Sequence, residues 1–254
     1  MHLPPVGLGT MGVEAASVVS TALDVGYRHV DTAQIYGNER VVGEGIAAAD
    51  VDREALTVAT KLWIDSLSET DVRPGTEASL ERLGLSAVDL LYVHRPRGDY
   101  DPATTLPAVD AVREDGLTRH VGLSNFDPAA LAVARDHLES PIAAHQVEFH
   151  PFFWQRALLE DAQRNDYPLV AYSPLAGGQV FEDPTLRAIA DRHDTTPAAV
   201  SLAWVTSYDN IVAIAKASSR AHLEANLAAA ALDLDEEDVE RIEAIDREEE
   251  LFPE

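Results

Sequence analysis

Eight short apolar runs constrain this chain more than any other feature. They fall at residues 6–9, 29–31, 57–61, 88–94, 120–124, 144–148, 169–172 and 211–215, with longer stretches of helical spacing between them. Brief, nearly continuous runs of Val, Ile, Leu and Ala read as strands buried on both faces, which means a parallel sheet covered by helices. Val18, Ala22, Leu23 and Val25 lie near helical spacing, as do Val72, Leu80 and Leu83. Asp127-Pro128, Asp183-Pro184 and Thr196-Pro197 read as helix starts. The cap oxygen takes up a backbone N–H that has no helical partner, and proline in the first turn removes none that mattered. Segment 235–245 reads as one more helix after the last run. No linker or low-complexity stretch interrupts the pattern. Eight such units in about 250 residues is the size of a (β/α)8 TIM barrel of the α/β class, and 1–254 is expected to be one such domain.

A competing pattern sits at the start. Gly7-Leu8-Gly9-Thr10-Met11-Gly12 matches G-x-G-x-x-G, and Asp31 follows Gly12 by nineteen residues, as in a dinucleotide-binding Rossmann unit. The strand before those glycines would contain Pro4 and Pro5, and a central strand cannot lose two N–H groups. The glycines are instead expected in a tight first strand-to-helix turn beside a ligand.

The formal charge is −25, from 44 acidic and 19 basic residues. Such acidity argues against nucleic acid or an anionic membrane as a partner. The acids are spread along the chain, with one cluster at Asp246 to Glu250. A self-repelling surface of this kind suits concentrated salt, where screening acts within about 3 Å at 1 M, so a halophilic protein is expected. There is no cysteine, which removes disulfides and thiolate chemistry. Neither a secretory signal nor an 18-residue apolar run is visible, and the expectation is a cytoplasmic protein, monomeric by default.

Only two lysines occur, Lys61 and Lys216, and each closes an apolar run. That edge of a parallel α/β fold is where ligands bind. The other strand ends are polar too: Asp31, His94, Ser124-Asn125, Gln146 with Glu148, and Tyr172-Ser173. Strands two, three and four are neighbours in a barrel, so Asp31, Tyr36, Lys61 and His94 can converge. A tyrosine is a poor acid near neutrality. An adjacent ammonium favours its phenolate, a carboxylate holds that ammonium in place, and a histidine can orient the reacting oxygen.

The stretch His29-Val30-Asp31-Thr32-Ala33-Gln34-Ile35-Tyr36-Gly37-Asn38-Glu39 resembles the first signature of the aldo-keto reductases. Leu91-Tyr92-Val93-His94-Arg95-Pro96, Val121-Gly122-Leu123-Ser124-Asn125-Phe126, Gln146-Val147-Glu148-Phe149-His150-Pro151 and Ala171-Tyr172-Ser173-Pro174-Leu175 resemble its later ones, in order. The resemblance covers essentially the whole chain. It implies metal-free reduction of aldehydes and ketones by a nicotinamide cofactor. Tyr36 is then the general acid, Lys61 paired with Asp31 tunes it, and His94 bonds the carbonyl. Ser124, Asn125 and Gln146 would hold the carboxamide and Tyr172 would stack on the nicotinamide. Gly9, Thr10, Ser173, Leu175 and Gly177 would lie along the cofactor, with the last three at its pyrophosphate.

At the adenosine end the likeness loosens. Lys216 is followed by Ala217 where the family has serine, with Ser218 or Ser219 as a substitute hydroxyl. His222 stands in the place of an arginine, Asn226 is kept, and Ala225 replaces a glutamate. Lys216 still suits a 2′-phosphate, so NADPH is expected, with NADH the second candidate. Trp63 would wall the substrate pocket. Arg95 replaces the family's tryptophan and would make the pocket suit an anionic or polyhydroxylated small-molecule carbonyl substrate. The tail after Ile245 is short, so no long C-terminal loop is expected over the pocket. Two alternatives stay open: a Schiff-base lyase using Lys61 or Lys216, and a non-catalytic nicotinamide-binding regulator.

Overall fold

The computed structural model describes residues 1–253. Eight parallel strands close into a barrel in chain order, with β8 pairing back on β1. They are β1 (Val6–Gly9), β2 (His29–Asp31), β3 (Thr57–Leu62), β4 (Val88–Val93), β5 (Thr118–Ser124), β6 (Ile142–Glu148), β7 (Leu169–Tyr172) and β8 (Ile211–Ala215). The helices are α1 (Ala16–Asp24), α2 (Glu39–Ala48), α3 (Val72–Leu83), α4 (Pro102–Glu114), α5 (Pro128–His137), α6 (Arg156–Arg164), α7 (Pro184–Arg192), α8 (Pro197–Thr206), α9 (Arg220–Ala229) and α10 (Glu236–Glu243). Two of them, α7 and α8, share the crossover from β7 to β8.

The apolar runs become strands because both faces are covered. Outward residues such as Val30, Val58, Leu91 and Val121 pack against the helices, and inward ones such as Leu90, Ala144, Val170 and Val212 fill the barrel. Strands β5 and β6 start two residues earlier than the apolar pattern suggests. Arg119 and His120 are exposed at the barrel's lower rim, where solvent lets a strand carry polar residues.

The expected caps form. Asp127 accepts from the Ala130 N–H at 2.7 Å, Asp183 from Thr185 and Leu186 at 2.9 and 3.0 Å, and Thr196 from Ala199 at 3.2 Å. Asp101 caps α4 in the same way, before Pro102. The extra helix expected at 235–245 is α10, capped by Asp235. It is pinned to α7 by the fully buried carboxylate of Asp238, which takes His193 and Arg192.

The glycine-rich start is split between strand and turn. Gly7 and Gly9 belong to β1, while Gly12 turns the chain at φ +71°. A Cβ on Gly7 would lie 2.9 Å from His29 Nδ1 inside the barrel, so this glycine serves barrel packing rather than a dinucleotide turn.

The approach of α2 to α3 depends on Gly43, where a Cβ would meet the Leu83 carbonyl oxygen at 2.2 Å. Gly43→Ala should therefore cost about 1–3 kcal/mol by overpacking, read from urea unfolding. Gly84→Ala, at φ +67° with nothing within 4 Å, should cost only about 1 kcal/mol through its left-handed backbone.

Candidate active site

Strand period alone places the central residues. Side chains two apart share a face, so Asp31 faces the barrel interior above His29, and Lys61 above Ala59. Lys61 is fully buried and Asp31 is 1% exposed. Two isolated charges at such depth would be costly to desolvate, and here both are fully engaged. The Lys61 Nζ donates to Asp31 Oδ1, to the Thr32 carbonyl at 2.8 Å and to the Tyr36 hydroxyl at 3.5 Å. The second Asp31 oxygen accepts from Gln146 Nε2 at 2.8 Å. Burial works against the ammonium, but Asp31 and Tyr36 together outweigh it, so the Lys61 pKa stands above its ordinary value.

Tyr36 ends a single 3-10 turn, Gln34–Tyr36, closed by Gly37 in the left-handed region. The turn is braced by Gln34, whose amide donates to the Gly75 carbonyl at 3.0 Å and whose Oε1 accepts from the Trp63 N–H at 2.7 Å. The His94 ring lies edge-on to Tyr36, with centroids 6.1 Å apart, and to Trp63 at 4.9 Å. Burial, then the charges of Lys61 and Arg95, push the His94 pKa down to about 2. The ring is therefore neutral at any working pH and presents one donor and one acceptor.

These groups open into one cleft of about 530 Å³ at the C-terminal ends of the strands. Asp31, Tyr36, His94, Trp63 and Arg95 line it, as do Gly9, Thr10, Asn125, Gln146, Tyr172, Ser173, Leu175, Gly177 and Lys216. Ser124 lies beneath, accepting from Asn125 Nδ2 at 3.1 Å, and Tyr172 donates to Asn125 Oδ1 at 2.9 Å. Asn125, Ser173 and Ala176 have φ of +61°, +52° and +48°. Non-glycine residues held in that region cluster at functional sites.

The remaining predicted residues lie outside this cleft lining. Ala217 is buried after β8, Ser218 and His222 are exposed, and Asn226 is buried on α9 and bonded to Tyr27. Ser219 caps α9 by accepting from the His222 N–H at 3.2 Å.

Sequence reasoning missed two things. One is that Gln146 supports Asp31. The other is the tail. Short as it is, it turns back over the barrel, and Leu251 and Phe252 line the cleft. Their backbone N–H groups donate to the Glu148 carboxylate at 2.7 and 3.1 Å. The one sequence signal was an apolar Leu251-Phe252 pair closing an acidic run.

Comparison with known proteins matches this geometry. The Aldo/keto reductase family model fits residues 5–247. Methylglyoxal reductase DkgB of Escherichia coli O157:H7 is 36% identical over 97% of this chain and 94% of its own. A 9,11-endoperoxide prostaglandin H2 reductase of Trypanosoma cruzi is 34% identical over 96% of this chain and 88% of its own. The crystal structure of MGS-M4, an aldo-keto reductase from a Medee basin deep-sea metagenome library, superposes with a TM-score of 0.94 at 31% identity, covering 100% of this chain and 95% of that one. The chain belongs to the aldo/keto reductase family. It is an oxidoreductase that reduces carbonyl groups, with a cofactor of the nicotinamide kind.

Three histidines are buried in the barrel with lowered pKa values: His29 about 4, His94 about 2 and His145 about 3, each chiefly through burial. The unfolded chain takes up protons on them below its ordinary histidine pKa and the folded chain does not, so stability falls as pH drops from about 6.5 toward 4. Each histidine should contribute about 1.4 kcal/mol per pH unit in that window. His145→Asn should flatten the slope of unfolding free energy against pH by about that amount.

Proposed function

We propose that Tyr36 is the proton donor in reduction of small aldehydes and ketones, with NADPH as the preferred cofactor and NADH the second. The observation that carries this reading is that one ammonium, Lys61 Nζ, joins the Asp31 carboxylate to the Tyr36 hydroxyl at the floor of the cleft. The residues present fit a nicotinamide dinucleotide. Asn125 and Gln146 offer amide donors and acceptors beside the flat ring of Tyr172, and Lys216 supplies a cation at the far end. When bound, the cofactor supplies hydride to the carbonyl carbon.

The chain's own groups do the rest. Tyr36 donates a proton to the carbonyl oxygen as charge develops there, and Lys61 stabilises the phenolate left behind. Neutral His94 donates a hydrogen bond to the same oxygen through its ring N–H, and Trp63 walls the site. Lys216, the Ser218 hydroxyl and His222 near the start of α9 favour a 2′-phosphate. Without a forked guanidinium in that place, discrimination against NADH is modest.

Among the described residues Asp31 is the acid that lines the cleft, and Lys61 neutralises it. Arg95 and Lys216 also line the cleft. A guanidinium in the substrate wall, where an indole would be apolar, supports an anionic or polyhydroxylated carbonyl substrate, with Arg95 as the residue that meets it. A lyase acting through Lys61 is disfavoured, because a lysine amine must be neutral to attack a carbonyl and Asp31 holds Lys61 charged. Among the described residues no helix is long and apolar enough to cross a membrane. A monomeric cytoplasmic enzyme adapted to high salt completes the reading.

The test is oxidation of NADPH and NADH by purified protein in concentrated and dilute potassium chloride, with neutral and carboxylate-bearing aldehydes in matched pairs. Tyr36→Phe should lose turnover by a factor on the order of 10² to 10⁴ while binding cofactor normally. Near-normal turnover in that variant refutes the acid assignment. Tight binding without turnover would point to the regulator, and full structure and activity in dilute buffer removes the salt adaptation. Arg95→Gln should lose the carboxylate-bearing member of each pair selectively, by about tenfold in kcat/KM.

A further inference from the structure

We propose that Glu148 is a positioning residue, the latch of a C-terminal strap that braces the cofactor wall of the cleft and sets how fast the dinucleotide leaves. The inference rests on the nicotinamide reading above and assigns a role to a carboxylate that the chemistry does not use.

Glu148 closes β6 and is 2% exposed. Its Oε1 accepts from His150 Nε2 at 2.9 Å and from the Leu251 N–H at 2.7 Å, and its Oε2 accepts from the Phe252 N–H at 3.1 Å. Two of the three donors on this buried carboxylate therefore come from the tail. Hydrogen bonds to an ionised acceptor are about twice as strong as neutral ones, so backbone N–H groups alone can hold a short tail here.

A second set of contacts fixes the strap on its other side. The Glu249 N–H donates to the Phe152 carbonyl at 2.7 Å, and Gln179 Nε2 donates to Glu249 Oε1 at 2.6 Å. Arg247 donates to both Gln179 and Glu249 and lies over the Phe152 ring at 4.3 Å. Gln179 belongs to the turn Ala176–Phe181 that follows β7. The strap thus ties the end of β6 to that turn.

What the strap touches gives it a function. Phe252 meets the Tyr172 ring edge-on with centroids 5.8 Å apart. Leu251 Cδ1 lies 3.6 Å from where a Cβ on Gly177 would be. Tyr172 and Gly177 are both assigned to the cofactor in the reading above, so the strap flanks that wall within the cleft. Opening it exposes the Glu148 oxygens to water, which replaces the lost donors. Release is therefore a local event, not a global unfolding.

The experiment uses stopped-flow cofactor fluorescence on the whole chain, a variant ending at Glu250, Phe252→Ala and Glu148→Gln. In the truncated variant the NADPH dissociation rate constant should rise about tenfold or more, with a proportional rise in Kd. The far-UV circular dichroism of the truncated variant should match that of the whole chain, so that faster release reads loss of the strap and not loss of the fold. Phe252→Ala should show a smaller rise. Independently of any cofactor, Glu148→Gln should speed hydrogen exchange at the Leu251 and Phe252 amides. A truncated variant that releases NADPH at the wild-type rate overturns the latch, as does unchanged exchange in Glu148→Gln. A wild-type chain that binds neither NADPH nor NADH overturns the nicotinamide reading instead.

Discussion

The ion pair of Asp31 and Lys61 is the interaction on which the rest of the site depends. Both groups are out of reach of bulk water, and a buried charge without partners would destabilise the fold. Each is therefore surrounded: Lys61 by Asp31, the Thr32 carbonyl and Tyr36, and Asp31 by Lys61 and Gln146. This makes the barrel interior and the chemistry one construction. The group that satisfies the lysine also directs its ammonium at the tyrosine, and the amide that satisfies the aspartate stands in the wall of the cleft.

The barrel supplies the geometry through register. Asp31 pairs with Ala59 across β2 and β3, and Lys61 with Tyr92 across β3 and β4. Adjacent strands thus bring their upper inward residues to one level, and His94 follows one step beyond the end of β4. Loops alone would not hold four groups so closely. The left-handed residues Asn125, Ser173 and Ala176 mark where the chain bends sharply to shape the opening.

Electrostatics separates the outside of the molecule from its cleft. The chain as a whole carries a large acidic excess, while among the described residues the acid that lines the cleft is Asp31, neutralised by Lys61.

Much of this was legible in the chain itself. The bounds of β1, β2, β7 and β8 coincide with the apolar runs, because strands buried on both faces leave an unbroken apolar record. Asp31, Tyr36, Lys61 and His94 were identifiable because each sits at or just beyond a strand end, and in a closed barrel neighbouring strand ends meet. The lower ends of β5 and β6 were less legible, since exposed residues there carry no pattern. The support of Asp31 by Gln146 and the seating of the tail on Glu148 join residues about a hundred or more positions apart. Local sequence determined the elements and many of the residues that face the cleft, though not Leu251 and Phe252. Only closure of the barrel decided which distant donors would satisfy its buried carboxylates, because a hydrogen bond of that kind is specified by where two strands end in space and not by either strand alone.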